Sequence, residues 1–149
     1  MQRVRDASVT IEGVIRGSVR HGLLVYLGVA CNDTEKDAGR LAEKIANLRI
    51  FEDAAGKMNL SLKETAGQDG VLAVSQFTLL ADARKGRRPY YGAAADPEKA
   101  KKLYEYFMAK IREQGLRCEE GVFRAHMDVR YTNDGPVTIL LDSGDLAPE

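Results

Sequence analysis

Residues 131–141 read YTNDGPVTILL, and Pro136 within them restricts the fold more than any other single residue. Asn133-Asp134-Gly135 has the composition of a tight turn, and 137–141 that of a buried strand. Pro136 falls between the two, where a hairpin would use a backbone N–H. Proline has none to give, so this stretch belongs to a turn or to the edge of a sheet. X–Pro bonds are also the only peptide bonds with an appreciable cis population, about 5–6% in folded proteins. A cis Gly135–Pro136 bond would swing two consecutive carbonyl oxygens to one side, a rigid polar ledge made without side chains. Gly135 leaves that backbone uncovered and open to close approach by a ligand. On the residues alone, edge turn and ledge are both open.

The rest of the chain alternates between strand and helix patterns. Val9 and Ile11 alternate with polar neighbours, Glu12-Gly13 turns, and a strand follows over 14–19. Residues 23–29 form an apolar run short enough for a strand buried on both faces. Asn32-Asp33-Thr34 offers a helix cap, and Ala38, Leu41, Ala42, Ile45 and Leu48 share one face, predicting a helix over 35–50. A glycine-containing stretch follows over 52–59, with a short strand or loop near Leu60. Gly67-Gln68-Asp69-Gly70 punctuates, and 71–80 reads as a strand. Asp96 suits an N-cap, Pro97 the first helical position and Glu98 the dipole, while Ala100, Leu103, Tyr104, Phe107 and Ile111 form the apolar stripe that Gly115 ends. Met127, Val129 and Tyr131 then alternate into the proline segment. Six or seven strands and two helices, in an order that is not repeated βαβ, predict an α+β fold. Its sheets are layered, mostly antiparallel and barrel-like, with the two main helices packed on one side. With no linker or repeat, residues 1–149 read as one domain, ending in a flexible tail over 142–149.

Composition narrows the function. The chain is 44% hydrophobic and 30% charged, and no apolar run approaches the roughly 20 residues of a membrane span, so no membrane partner is expected. The N-terminus lacks an apolar signal core, which predicts a cytoplasmic protein. Cys31 and Cys118 lie far apart and are expected as reduced thiols. His21 and His126 are isolated, so neither a metal nor another cofactor is expected. Net formal charge is zero, so nucleic acid would have to be held by a local patch. Arg84-Lys85-Gly86-Arg87-Arg88 is the densest candidate, to be read as a solvated loop or as phosphate contacts. GxSxG, P-loop and dinucleotide fingerprints are absent. The chain is therefore a binding module or a catalyst without a strong general base.

A second short stretch stands out. Ser75-Gln76-Phe77-Thr78-Leu79 crowds polar residues onto the end of an apolar strand, and buried polar groups cost about 1–3 kcal/mol each unless paired. Either they face solvent or they build a site.

SQFTL at 75–79 together with NDGPVT at 133–138 resembles the D-aminoacyl-tRNA deacylase family. The likeness runs nearly end to end, through Gln2-Arg3-Val4, Ala7-Ser8-Val9, Gly56-Lys57-Met58-Asn59-Leu60 and Gly86-Arg87-Arg88-Pro89. The resemblance implies hydrolysis of the ester joining a D-amino acid, or glycine, to the terminal adenosine of tRNA, a quality-control step of translation. It implies homodimers in which the partner subunit supplies a cis Gly135–Pro136 ledge facing the substrate α-amino group. It further implies catalytic roles at Ser75, Gln76, Phe77 and Thr78, with Arg3, Met127 and Asn133 in support, and acceptor-stem contacts at Arg84, Lys85, Arg87 and Arg88. Thr78 is read as a positioning group, with nucleophile as the alternative, because no base lies beside it in sequence. Two stretches depart from the family. Arg124 and His126 in Gly121-Val122-Phe123-Arg124-Ala125-His126-Met127 replace a small residue and an acid, and Tyr90-Tyr91 after Arg88-Pro89 replaces Ser-Phe. The rival readings are a non-catalytic tRNA- or RNA-binding module and a small-molecule hydrolase acting through Thr78.

Overall fold

The computed structural model describes residues 1–65 and 70–147, so Gly67-Gln68-Asp69 lie outside the described residues. β1 (Gln2–Ile11) is the strand around which the sheet is ordered. Its inward residues Val4, Ala7 and Val9 skip a step after Val4, and a register shift falls at that same place. β2 (Val14–Val19) turns back on the second half of β1, and β3 (Gly22–Leu27) pairs with its first half, both antiparallel. After α1 (Glu35–Asn47), β4 (Phe51–Glu52) and β5 (Met58–Leu60) form a small ladder of their own. β6 (Gly70–Ser75) lies parallel to β3. Following α2 (Pro97–Glu113), β7 (Cys118–Glu120) adds parallel to β6, and β8 (Asp128–Thr138) runs antiparallel along the free side of β1. Among the described residues four strand pairings are antiparallel and two parallel, which gives the expected α+β class with helices on one side. The sheet curls until β2 meets β7. At Gly17 a Cβ would stand 2.4 Å from the Glu120 carbonyl oxygen, so only glycine permits that approach.

Both faces of the central strands are buried, as the unbroken apolar runs require. Leu23, Val25, Leu27, Val71 and Ala73 face the helices, where Ala42, Ile45, Tyr104, Phe107 and Ile111 cover them. Leu24, Leu72 and Val74 face inward onto Val4, Ala7, Val9 and Val19. α1 starts at Thr34, whose amide and hydroxyl both donate to the Asp37 carboxylate, at 2.9 and 2.7 Å. Those bonds hold the Asp37 carboxyl below its ordinary range. α2 is capped by Asp96, which accepts from the amides of Glu98 and Lys99, and Gly115 (φ +81°) ends the run. The buried Tyr104 hydroxyl donates to the Ala73 carbonyl at 2.8 Å, tying α2 to β6, and burial pushes the phenol well above its usual range. Cys31 (exposed) and Cys118 (buried) are free thiols. Among the described residues no helix is long and apolar enough to cross a membrane.

Four expectations about elements need correction. The helix expected over 35–50 stops at Asn47, because Leu48 turns extended and the Ile50 carbonyl is drawn to the Arg3 guanidinium at 2.6 Å. The strand expected over 71–80 stops at Ser75, and Phe77–Leu80 is a 3-10 turn. The Gln76 amide donates to the Leu27 carbonyl at the end of β3, and beyond that residue there is no ladder to continue. The turn and buried strand expected around 133–141 are instead one strand, β8, reaching Thr138, after which Leu140 is 85% exposed. Finally, eight strands among the described residues replace six or seven, since the two-residue β4 and three-residue β7 are too short to show a period. Beyond β8, residues 142–147 lie on α1, where Arg40 donates to the carbonyls of Ser143, Leu146 and Ala147.

Phe107 is fully buried at the centre of the helix–sheet core. Its replacement by Ala is expected to cost about 3–5 kcal/mol, read as a lower denaturation midpoint in urea with little change in slope.

Candidate active site

Two structures built mostly from main chain correspond to the two motifs. The first is a bulge in β8. While β1 advances from Gln2 to Val4, its partner runs from Thr138 back to Asn133, leaving Asp134, Gly135, Pro136 and Val137 without ladder partners. The Asn133 side chain replaces the missing bonds. Its Oδ1 accepts from the Val137 amide at 3.0 Å, and its Nδ2 donates to Gln2 Oε1 and to Thr138 Oγ1. The Gly135–Pro136 bond is cis and Gly135 has φ +113°. Pro136 sits on the edge strand, where its missing N–H breaks no ladder bond.

Arg3 braces this bulge from beneath. Although charged, it is only 5% exposed. Its Nη1 donates to the Ile50 carbonyl, its Nη2 lies 3.9 Å from Glu52, and its Nε lies 3.2 Å from Asp134 Oδ2. That last contact is ionic rather than a formed hydrogen bond, since Nε has no correctly aligned acceptor. Arg5 and His21 also approach Asp134, at 3.4 and 3.8 Å. Three basic side chains therefore converge on one carboxylate beside Gly135. A Cβ on Gly135 would stand 2.8 Å from Arg3 Nη2, so the arginine packs against bare backbone. Sequence reasoning finds Arg3 and Asn133 through the resemblance but reads Asp134 as a turn residue. Only the register of β1 against β8 reveals it as an ion-pair centre.

The second structure is the turn after β6. Ser75 pairs with Leu27, Gln76 bridges out of the sheet, and Phe77, Thr78 and Leu79 are exposed on the 3-10 turn. Gln76 Nε2 donates to Thr78 Oγ1, which orients that hydroxyl, and the first N–H groups of such a turn have no acceptor within it. The turn rests on Gly28, whose missing Cβ would lie 2.5 Å from Leu80 Cδ2. A cavity of about 330 Å³ opens beside it, with Leu79 and Leu80 on one wall and 138–143 on another.

Within one chain the two structures stay apart. The bulge lies level with Leu23 on β3, whereas Ser75 lies level with Leu27. Four residues amount to about 13 Å along the strands, and three strand spacings of about 4.8 Å separate β8 from β6. Neither Gly135-Pro136 nor 75–78 lines the cavity. Met127 lies just before β8, at the end away from the bulge, and its neighbour Gly121 donates its amide to the Ala73 carbonyl two residues before Ser75. Met127 packs over Gly121, where a Cβ would stand 2.5 Å from its sulfur, and so anchors the start of β8 against the inner core. In the basic loop, antiparallel bonding between Asp82 and Tyr90 pinches 82–90 closed. Arg84 is spent on Asp82 through paired contacts of 2.8 and 2.6 Å, which hold that carboxyl below its usual range. Lys85, Arg87 and Arg88 are exposed and have no ion-pair partner among the described residues.

Comparison with known proteins assigns the family. The model of the D-Tyr-tRNA(Tyr) deacylase family matches residues 1–142. A D-aminoacyl-tRNA deacylase of Koribacter versatilis is 64% identical over 143 residues, covering 96% of this chain and 95% of the relative. Another from Thermotoga petrophila is 55% identical over 146 residues, covering 98% and 97%. The solved structure of the c-Myc DNA Unwinding Element Binding Protein superposes with a TM-score of 0.87 at 38% identity, covering 99% of this chain and 97% of that one. A probable eukaryotic D-amino acid tRNA deacylase shares the fold at TM-score 0.76 and 17% identity, covering 89% and 91%. The chain belongs to the D-Tyr-tRNA(Tyr) deacylase family, whose named relatives are hydrolytic enzymes.

The departure at Arg124 has a backbone consequence. Arg124 sits at φ +65°, a left-handed conformation that disfavours a side chain by about 1–2 kcal/mol. Arg124→Gly is expected to leave the fold intact and to raise stability by up to about 1 kcal/mol, seen as a higher thermal midpoint.

Proposed function

We propose that the protein hydrolyses the ester of D-aminoacyl-tRNA in the cytoplasm, releasing the free amino acid and tRNA. The observation that carries this reading is the end-to-end family match combined with an uncovered Gly135-Pro136 bulge braced by Arg3. Backbone oxygens facing the substrate α-amino group read handedness without reading side-chain identity. Held at its amino group and its ester carbonyl, an L-residue drives Cβ into the oxygens, whereas a D-residue points its side chain away. An overlap costing about 4–6 kcal/mol rejects the L-ester by 10³–10⁴. Glycine lacks a Cβ and passes, so glycyl-tRNA is a substrate on the same grounds.

Chemistry on such a substrate needs little. The aminoacyl ester is labile, and its ribose carries a vicinal hydroxyl able to assist attack. The exposed amides of Phe77 and Thr78 are the donors for the developing oxyanion, with Ser75 and Gln76 shaping the turn that presents them. The protein acts as a homodimer in which Gly135 and Pro136 of one protomer complete the site of its partner. The separation of the two motifs within a single chain supports that arrangement.

Incubation with D-Tyr-tRNA and L-Tyr-tRNA in parallel is expected to release D-tyrosine at least about 10³ times faster. Equal rates, or none, would remove the deacylase reading in favour of an RNA-binding module. Thr78 accepts a bond from Gln76 and orients the turn, so Thr78→Ala is expected to slow hydrolysis about tenfold. Complete loss, with an acyl-enzyme trapped on the wild type, would make Thr78 the nucleophile instead.

A further inference from the structure

The departure Tyr90-Tyr91 lies on the surface beside the 3-10 turn and has no role in the reading above. Tyr90 is 71% exposed, an unusual position for a large aromatic ring. It is nevertheless fixed. Its backbone bonds to Asp82 in both directions, at 2.7 and 2.9 Å, and its ring folds across Gly92. A Cβ on Gly92 would fall 2.2 Å from the Tyr90 hydroxyl, so the ring occupies space that only glycine leaves free. Tyr91 meets Phe77 edge to face, with centroids 5.0 Å apart. The far side of the segment is tied to the residues that follow β3, where Ala93 accepts from the Cys31 amide and the Ala95 amide donates to the Val29 carbonyl. Three aromatic rings thus stand at one rim of the candidate active site, on anchored backbone. The loop they close presents Lys85, Arg87 and Arg88, none with an acidic partner among the described residues, while Arg84 is neutralised by Asp82.

Exposed rings beside unpaired cations match one kind of ligand, a single-stranded nucleic-acid end. Bases stack on aromatic faces whatever their identity, and the intervening phosphates take the positive charge. We propose that Tyr90 and Tyr91 are a stacking platform for the unpaired bases at the 3′ end of tRNA, with Lys85, Arg87 and Arg88 holding the phosphates between them. This rests on the deacylase reading for its ligand, and it assigns the approach path by which the esterified terminal nucleotide reaches Phe77 and Thr78.

The test is binding of the full-length protein to uncharged tRNA and to the same tRNA with its unpaired 3′ nucleotides removed, over a range of salt. Tyr90→Ala is expected to weaken binding of intact tRNA about five- to one-hundredfold and to leave the trimmed tRNA unaffected. Tyr90→Phe should restore binding, because stacking needs the ring and not the hydroxyl. Gly92→Ala should weaken it too, by pushing the ring aside without removing it. Arg87→Ala should lower the salt dependence on intact tRNA by about 0.7 in log–log slope. Equal losses on both RNAs, or no loss with Tyr90→Ala, overturn the proposal. Dissociation of a dimer by Tyr90→Ala in sedimentation also overturns it, since the rings would then face a second copy of the chain. Because uncharged tRNA is the probe, failure here is separable from failure to cleave the D-ester.

Discussion

A guanidinium held out of water organises the first strand and everything that pairs with it. Arg3 is 5% exposed, and a charge there is stable only with partners on several sides. It finds them in the Ile50 carbonyl and in Asp134, with Glu52 at longer range. Those partners come from the exit of α1, from β4 and from β8, so one side chain ties three separate parts of the chain together. The early end of α1, the start of β4 and the bulge opposite Gln2 and Val4 all meet at it. Asn133 complements Arg3 by returning to the bulge the hydrogen bonds that the ladder loses there.

Much of this architecture was legible in the residues. α2 declares itself through Asp96, Pro97 and Gly115, and the buried runs of β3 and β6 through continuous apolar character. Elements of two or three residues are too short to establish a repeating pattern, which is why β4 and β7 escaped. The 71–80 segment misled because Phe77, Leu79 and Leu80 look like strand residues, while the end of the neighbouring β3 ladder decides where β6 stops. For 131–141 the turn composition was real, but long-range pairing with β1 absorbed it into one strand as a bulge. Local chemistry proposes such a feature and tertiary register decides it.

The candidate site was legible through motif pairing rather than through reactive side chains. Gln76, Thr78, Gly135 and Pro136 carry little chemistry of their own, and what they shape is backbone direction. Their supports are distributed: Gln2, Asp134 and Thr138 lie within the quoted motifs, but only the register of β1 against β8 shows what each of them bonds to. Conversely, Arg84 looked like the start of a uniform basic run, whereas Asp82 two residues away discharges it. The loop's useful charge is therefore shifted towards its later half.

Among the described residues β8 pairs only with β1, and its outer margin carries no strand. Bare strand margins invite a second chain to zip on. Here the invitation has a built-in stop. A companion segment could bond outward-facing amides from Asp128 towards Thr132, but at Pro136 it meets a residue with nothing to donate. A chain pairing along this margin from Asp128 would therefore be stopped at the Gly135-Pro136 step by a residue without an N–H.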